Sequence, residues 1–333
     1  CSSDLLVWRE PMPDQPGDLY PLLLDPVLHT RVWGSQRLHT QLGKTLPSAD
    51  PYGESWEMHD TARVANGPLA GQRLGDLLTR YGTMLTGAGF DPAQGLPLLV
   101  KLLDASDWLS VQVHPNDAQA QALEGDPRGK TEAWIILAAE PGARLVIGVQ
   151  PGTSRAVLAD AIETGALEPL LVYAEVQAGD VLFIEANTIH AIGPGLLLYE
   201  IQQSSDVTYR LYDWNRLGLD GKPRPLHIEK GVQVSNVESL PTLTHPLGED
   251  ALLVECAYFQ TTRLTLLEQS RTLETGGVFQ ALTCIDGALT LTHGEITVTL
   301  QRGQTVFIPA ALEAYVVVGS GVLLCSAPSV VEN

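Results

Sequence analysis

The chain has 333 residues, with 20 Lys and Arg against 39 Asp and Glu, for a formal net charge of −19 at pH 7. So acidic a surface repels nucleic acid and anionic lipid, and no apolar run approaches the roughly 20 residues of a spanning helix, so neither nucleic acid nor membrane is expected as a partner. Hydrophobic residues make up 44% and charged residues 18%, which is globular material for one large or two ordinary domains.

Cys1, Cys256, Cys284 and Cys325 form no CxxC pair, so a structural zinc knuckle is not expected. The last three lie in apolar runs, where free thiols act as small hydrophobes, in keeping with a reducing, cytoplasmic setting. Cys1 is expected to be a trimmed terminus; a lipid-modified cysteine would call for a signal segment.

In chain order, residues 1–20 read as a loose arm rich in Pro, Asp and Ser. Tyr20 to Leu24 and Thr30 to Trp33 read as short strands, with a tight bend at Trp33-Gly34. Gly53 to Glu57 reads as a strand whose alternation puts Glu54 and Trp56 on one face. Leu74, Leu77 and Leu78 recur at helical spacing, predicting a helix over Leu74 to Tyr81. Leu96 to Leu103 is nearly all apolar and suits a strand buried on both faces.

Ser110 to Trp134 follows, with Gln112 and His114 two apart in an apolar run, so that both leave one face of a strand. Pro115-Asn116-Asp117 ends that strand, one or two helical turns fit Ala118 to Leu123, and Gly125-Asp126-Pro127 breaks them. Lys130 and Glu132 repeat the two-residue spacing at the start of a second apolar run, Ala133 to Ala138. Two short strands with paired polar groups can line one pocket, and Gln, His and Glu all suit a hard or borderline divalent metal.

Beyond it, strands are predicted over Leu145 to Val149, Val172 to Val176, Val181 to Ile184, Leu196 to Gln202 and Val207 to Tyr212. A helix is predicted over Thr153 to Leu167, capped by Thr153. Pro223 to Pro225 and Pro241 to Pro246 read as linkers, and strands resume from Leu252 to Ser326. Many short strands with Gly and Pro punctuation point to a β-sandwich or barrel with helical insertions. Residues 179–186 (GDVLFIEA) resemble residues 303–310 (GQTVFIPA), as in a duplicated β unit. At that offset His190 maps onto Ala314, so only the first copy keeps the polar residue.

His190, after the turn at Ala186-Asn187-Thr188, is the candidate fourth ligand. Gly179, Glu185, Asn187 and His190 fit the second half of the cupin pattern. With Gly53-Glu54-Ser55-Trp56-Glu57, Gln112-Val113-His114-Pro115, Lys130-Thr131-Glu132, Asn187 to Ala191 and Glu200 to Arg210 in order, nearly the whole chain resembles the type I mannose-6-phosphate isomerases, most closely their shorter bacterial form. The resemblance implies a mainly β fold of two cupin-type jelly-roll β-barrels with helical insertions in the first half. The expected division is 1–240 for a metal-binding catalytic domain and 241–333 for a degenerate second one.

It further implies one zinc ion per chain held by Gln112, His114, Glu132 and His190. Arg210 would be the catalytic arginine, with Lys130 and Glu200 in the pocket and Trp33, Glu54 and Trp56 at the sugar. Ile192 departs from the longer members, which carry Tyr there. Aldose–ketose isomerisation moves a proton between C1 and C2 through a cis-enediol(ate), so a base must reach both carbons and a cation must steady the oxygens. Glu200 is the first choice of base and Lys130 the second; Arg210 suits the enediolate oxygen or the phosphate. Arg216 joins Lys130 and Arg210 in the local cationic cluster an anionic substrate needs, and Arg155, Lys222 and Arg224 are further phosphate candidates.

Taken alone, Gln112 could orient His114 instead of binding metal, and Glu200 with Arg210 could be a structural ion pair. Another cupin reaction, on glucose 6-phosphate or with iron and oxygen, and a non-catalytic sugar-phosphate sensor are the rival readings. A monomer or weak homo-oligomer acting on a small sugar phosphate is expected.

Overall fold

A computed structural model describes residues 19–329. Cys1 and the expected arm lie outside the described residues, except Leu19 and Tyr20, which are buried in the core. The fold is mainly β. One sheet has seven antiparallel strands in the order Leu243–Thr244, Val181–Ile184, Glu132–Ala139, Leu196–Gln203, Leu98–Ala105, Tyr52–Met58, Val27–Ser35. Successive side chains of a strand leave opposite faces, and this sheet uses that to separate two tasks. Leu197, Tyr199 and Ile201 join Val100 and Leu102 in the main core, continuous with Phe259, Phe307 and Leu324. The alternate positions Lys101, Glu132, Trp134 and Glu200 face the other way, toward the functional site.

The C-terminal strands form a second sheet, in the order Ala251–Glu255, Phe259–Glu274, Ala314–Pro328, Gln280–His293, Thr305–Ile308, with Ile296–Gln301 on Gln280–His293. Leu22–Asp25 and Arg63–Val64 extend its edge from the N-terminal side. Tyr199 ties the two sheets: its hydroxyl lies 2.7 Å from Ser326 Oγ in the buried interface. The duplicated segments are both short strands entered from a left-handed glycine, Gly179 at φ 92° and Gly303 at φ 80°. No helix among the described residues is long and apolar enough to cross a membrane.

Several expectations shift. The helix over 74–81 has the predicted bounds, and the turn-helix after Pro115 is Asp117–Glu124, closed by a reciprocal Asn116/Gln119 cap and by left-handed Gly125. The helix expected over 153–167 is only Arg155–Glu163; Ser154 caps it by accepting from the Val157 N–H, while the Thr153 hydroxyl donates to Gln150. Trp33-Gly34 is no bend but part of the Val27–Ser35 strand. The Pro241 to Pro246 segment contains the strand Leu243–Thr244, paired with Val181 and Leu182. The Ile228–Val234 helix was not expected; its one Gly and two Val weaken the helix signal over seven residues.

Candidate metal and substrate site

Two strands and one bridge assemble the metal-ligating set. Gln112 lies in Val111–Val113, and its backbone N–H and C=O exchange 3.0 Å hydrogen bonds with those of His190. That bridge brings His190 beside Gln112 and His114, facing Glu132 at the start of its strand. Ring orientation is fixed from behind. His114 Nδ1 donates to the Val207 carbonyl at 2.9 Å and His190 Nδ1 to that of Thr188 at 2.8 Å. With Nδ1 so engaged, both Nε2 lone pairs point inward.

Glu132 Oε1 lies 3.3 Å from His190 Nε2, and Oε2 3.7 Å from His114 Nε2, with all three side chains at most 1% exposed. Their ligand atoms fall within 4.8 Å of one another. Burial, reinforced by Lys130, keeps both imidazoles neutral, pushing His190 down to about 3 and His114 well below its usual range. Burial also raises Glu132, against the pull of Lys130. Among the described residues, Oε1 of Glu132 accepts no hydrogen bond. A buried acceptor set of two inward Nε2 lone pairs and a carboxylate oxygen that accepts nothing fits a divalent cation, zinc among them.

Gln112 completes the ring of polar groups. Its amide nitrogen lies 3.3 Å from His190 Nε2 and 3.5 Å from His114 Nε2, and its oxygen accepts from Ser110. A half-turn of the amide would present the oxygen instead, the orientation a cation selects. Lys130 Nζ reaches in to 2.8 Å from Glu132 Oε2 and 3.0 Å from His114 Nε2. Its approach depends on Gly129, where any Cβ would collide with the backbone of Pro115 and Asn116.

Above this set lies a cavity of about 620 Å³, walled by Trp33, Glu54, Lys101, Gln112, Lys130, Glu200 and Arg210 among others. Glu200 is registered against Lys101 on one neighbouring strand and Trp134 on the other. Both partners donate to it, Lys101 Nζ at 2.9 Å and the Trp134 indole at 2.8 Å. Lys101, which also donates to Gln202 at 2.6 Å, was missed from sequence, although a single Lys in the run LLVKLLDA is a signal: a buried ammonium needs a partner.

Arg31, also not singled out, holds Glu54 with two hydrogen bonds of 2.9 and 3.0 Å. Trp56 stands behind Glu54, to which its indole donates at 2.8 Å, and packs on His29 and His59, away from the cavity wall. Arg210 is registered against Gln112. No carboxylate among the described residues is ion-paired with it, so the alternative of a structural Glu200–Arg210 pair does not hold: Glu200 pairs with Lys101. Arg210 Nη1 donates to the Pro225 carbonyl at 2.9 Å, and its Nε is buried without a partner. Of the phosphate candidates, Arg224 lines the cavity and shares Asp213 with Arg216. Arg155, bonded to the Ser235 carbonyl, and Lys222 do not line it. Ile192 does.

The two antiparallel β units, with His, His and Glu buried beneath a polar cavity, define a metal-site cupin. Residues 22–132 match the family model for the catalytic domain of type I phosphomannose isomerase, and residues 250–328 that for the mannose-6-phosphate isomerase cupin domain. The chain is 36% identical over 304 residues to mannose-6-phosphate isomerase ManA of Bacillus subtilis, covering 88% of this chain and 94% of that protein. It is 32% identical over 303 residues to the mannose-6-phosphate isomerase of Streptococcus mutans, covering 89% and 94%. Among solved structures, a Bacillus subtilis mannose 6-phosphate isomerase superposes with a TM-score of 0.81 at 28% identity, covering 92% of this chain and 99% of that one. A phosphomannose isomerase from Salmonella typhimurium shares the fold at 0.76 and 20% identity, covering 93% and 100%. The chain belongs to the type I phosphomannose isomerase family.

Proposed function

We propose that this chain interconverts mannose 6-phosphate and fructose 6-phosphate, with one zinc ion held by His114, Glu132, His190 and Gln112. When bound, the ion supplies positive charge to the sugar's C1 and C2 oxygens. Glu200 removes the C2 proton of the open-chain aldose, the C–H electron pair forms the C1=C2 bond, and the O1 carbonyl takes up a proton to give a cis-enediol(ate). Return of the proton from Glu200 to C1, with loss of the O2 proton, leaves the ketose. Both transfers use one face of the sugar, so a single base suffices.

Burial works against the charge on Glu200, but Lys101, Lys130 and the Trp134 indole hold its pKa below the usual carboxylate range. It therefore enters the reaction ionised. Arg210, which forms no ion pair with a carboxylate among the described residues, is the wall cation that takes the oxygen charge of the intermediate or the phosphate. Lys130 shuttles protons at the sugar oxygens, and Trp33 and Glu54 position the open-chain sugar.

The observation that carries this reading is a buried, inward-facing His/His/Glu set beneath a cavity whose wall holds a partner-held Glu200 and an Arg210 without an ion pair among the described residues. A coupled assay offering mannose 6-phosphate and glucose 6-phosphate separately tests it. Turnover of mannose 6-phosphate in clear preference is expected; preference for glucose 6-phosphate, or binding without turnover, would contradict it. The division into residues 1–240 and 241–333, a cytoplasmic setting and a monomeric or weakly associating state belong to the same proposal. The two family matches, which fall on either side of residue 240, support the division.

A further inference from the structure

His227 is outside the cavity wall, yet it occupies both backbone polar groups of Arg210. The Arg210 N–H donates to His227 Nδ1 at 3.0 Å, and the His227 N–H donates to the Arg210 carbonyl at 2.8 Å. The imidazole stands where a neighbouring strand's carbonyl would stand, on the edge of Tyr209–Tyr212 that Val111–Val113 leaves open. Two residues earlier, the Pro225 carbonyl takes the Arg210 guanidinium. Three contacts from one short segment thus fix Arg210 at its main chain and at its head group.

The surrounding sequence serves that contact. His227 is the residue that begins the Ile228–Val234 helix, but its ring makes no capping bond to that helix. It turns instead to Arg210. The helix can lie this close because residue 231 is glycine: a Cβ there would run into Leu211 and touch Tyr209. Accepting from a backbone N–H requires neutral His227 with its proton on Nε2. Burial lowers its pKa, as do Arg210 and Lys230, with Glu124 opposing.

We propose that His227 is the positioning residue for Arg210, a role that rests on the reading of Arg210 as the residue that meets the substrate's charge. It touches no substrate; it sets where the guanidinium is held. A displacement of an ångström at a charge-stabilising group lowers turnover by one to two orders of magnitude.

Steady-state kinetics on the zinc-loaded full chain test this with H227L, H227N, R210A and the R210A/H227L pair. In H227L, which keeps bulk and loses the acceptor, kcat should fall about tenfold or more while KM and zinc content stay within about twofold. H227N, whose Oδ1 replaces Nδ1 as acceptor, should restore most of that loss. The double variant should be no slower than R210A alone. Wild-type turnover in H227L, equal losses in H227L and H227N, or a further loss on top of R210A would each overturn the proposal. Wild-type turnover in R210A would fail the underlying reading instead, and the proposal with it. Should H227L not fold, 15N-histidine spectra of the wild-type protein decide: an unprotonated, hydrogen-bonded Nδ1 at His227 supports the clasp, and a protonated Nδ1 excludes it.

Discussion

Lys101 and Glu200 face each other across adjacent antiparallel strands, their charged groups 2.9 Å apart and both side chains at most 8% exposed. The pair lies at the wall of the substrate cavity, so the interaction that makes a buried carboxylate tolerable also sets its readiness as a base. Burial disfavours the Lys101 charge, and Glu200 and Glu54 more than restore it.

Replacing Lys101 with Met keeps the stem and removes the charge. Glu200 is then a buried carboxylate without its nearest cation, which destabilises the fold by about 3 kcal/mol or more. It also raises the pKa of Glu200, so the acid limb of the kcat profile moves to higher pH. Urea denaturation and a pH–rate profile read the two effects. An unmoved acid limb would show that Lys101 does not tune the base.

Arg210→Ala should leave zinc content and thermal stability close to wild type while kcat drops by about 10²–10³-fold. The separation follows from the site's construction: Arg210 contributes nothing to the His114, Glu132 and His190 set. Loss of metal together with activity would mean that Arg210 organises the ligands rather than the reaction.

Glu54 gives a pH dependence of stability. Burial resists its ionisation, but Lys101 and Arg31 overcome it and carry the pKa down to about 2. A folded-state pKa below the unfolded one stabilises the fold at pH values above the unfolded carboxylate range, and that contribution is lost as pH falls toward about 2. Glu54→Gln should therefore destabilise the protein by about 2–3 kcal/mol at neutral pH, and by progressively less as the solution is acidified below about pH 4.5. Urea midpoints of both proteins across that range check it; a difference independent of pH would contradict the assignment.

The parts of the site legible in the sequence were those with a local signature. Gln112 with His114, and Lys130 with Glu132, announce themselves by two-residue spacing, and His190 by the turn before it. The Leu74–Tyr81 helix shows in its leucine stripe. What the sequence concealed depends on register between distant strands. Nothing near Lys101 says that Glu200 lies opposite, and nothing near Arg31 points to Glu54. Trp56 shares a face with Glu54 as alternation requires, yet its indole is taken up as a donor behind that carboxylate, so face alone did not settle its distance from the cavity. His227 and Arg210 likewise meet only because Gly231 lets a short helix approach its strand.

Removing either buried imidazole should remove metal and turnover together. In His114→Ala or His190→Ala, three or fewer donors remain and Glu132 loses its neighbour, so zinc by elemental analysis and kcat are expected to fall in step. A variant that loses the metal and keeps wild-type kcat would separate the two.

The most direct measurement is turnover of mannose 6-phosphate on one sample before chelation, after chelation, and during titration back with zinc, with bound metal and folding followed alongside. Activity should vanish while the chain stays folded and return in proportion to zinc, reaching its plateau at one ion per chain. Full turnover by the folded, metal-free protein would contradict the metal-dependent site.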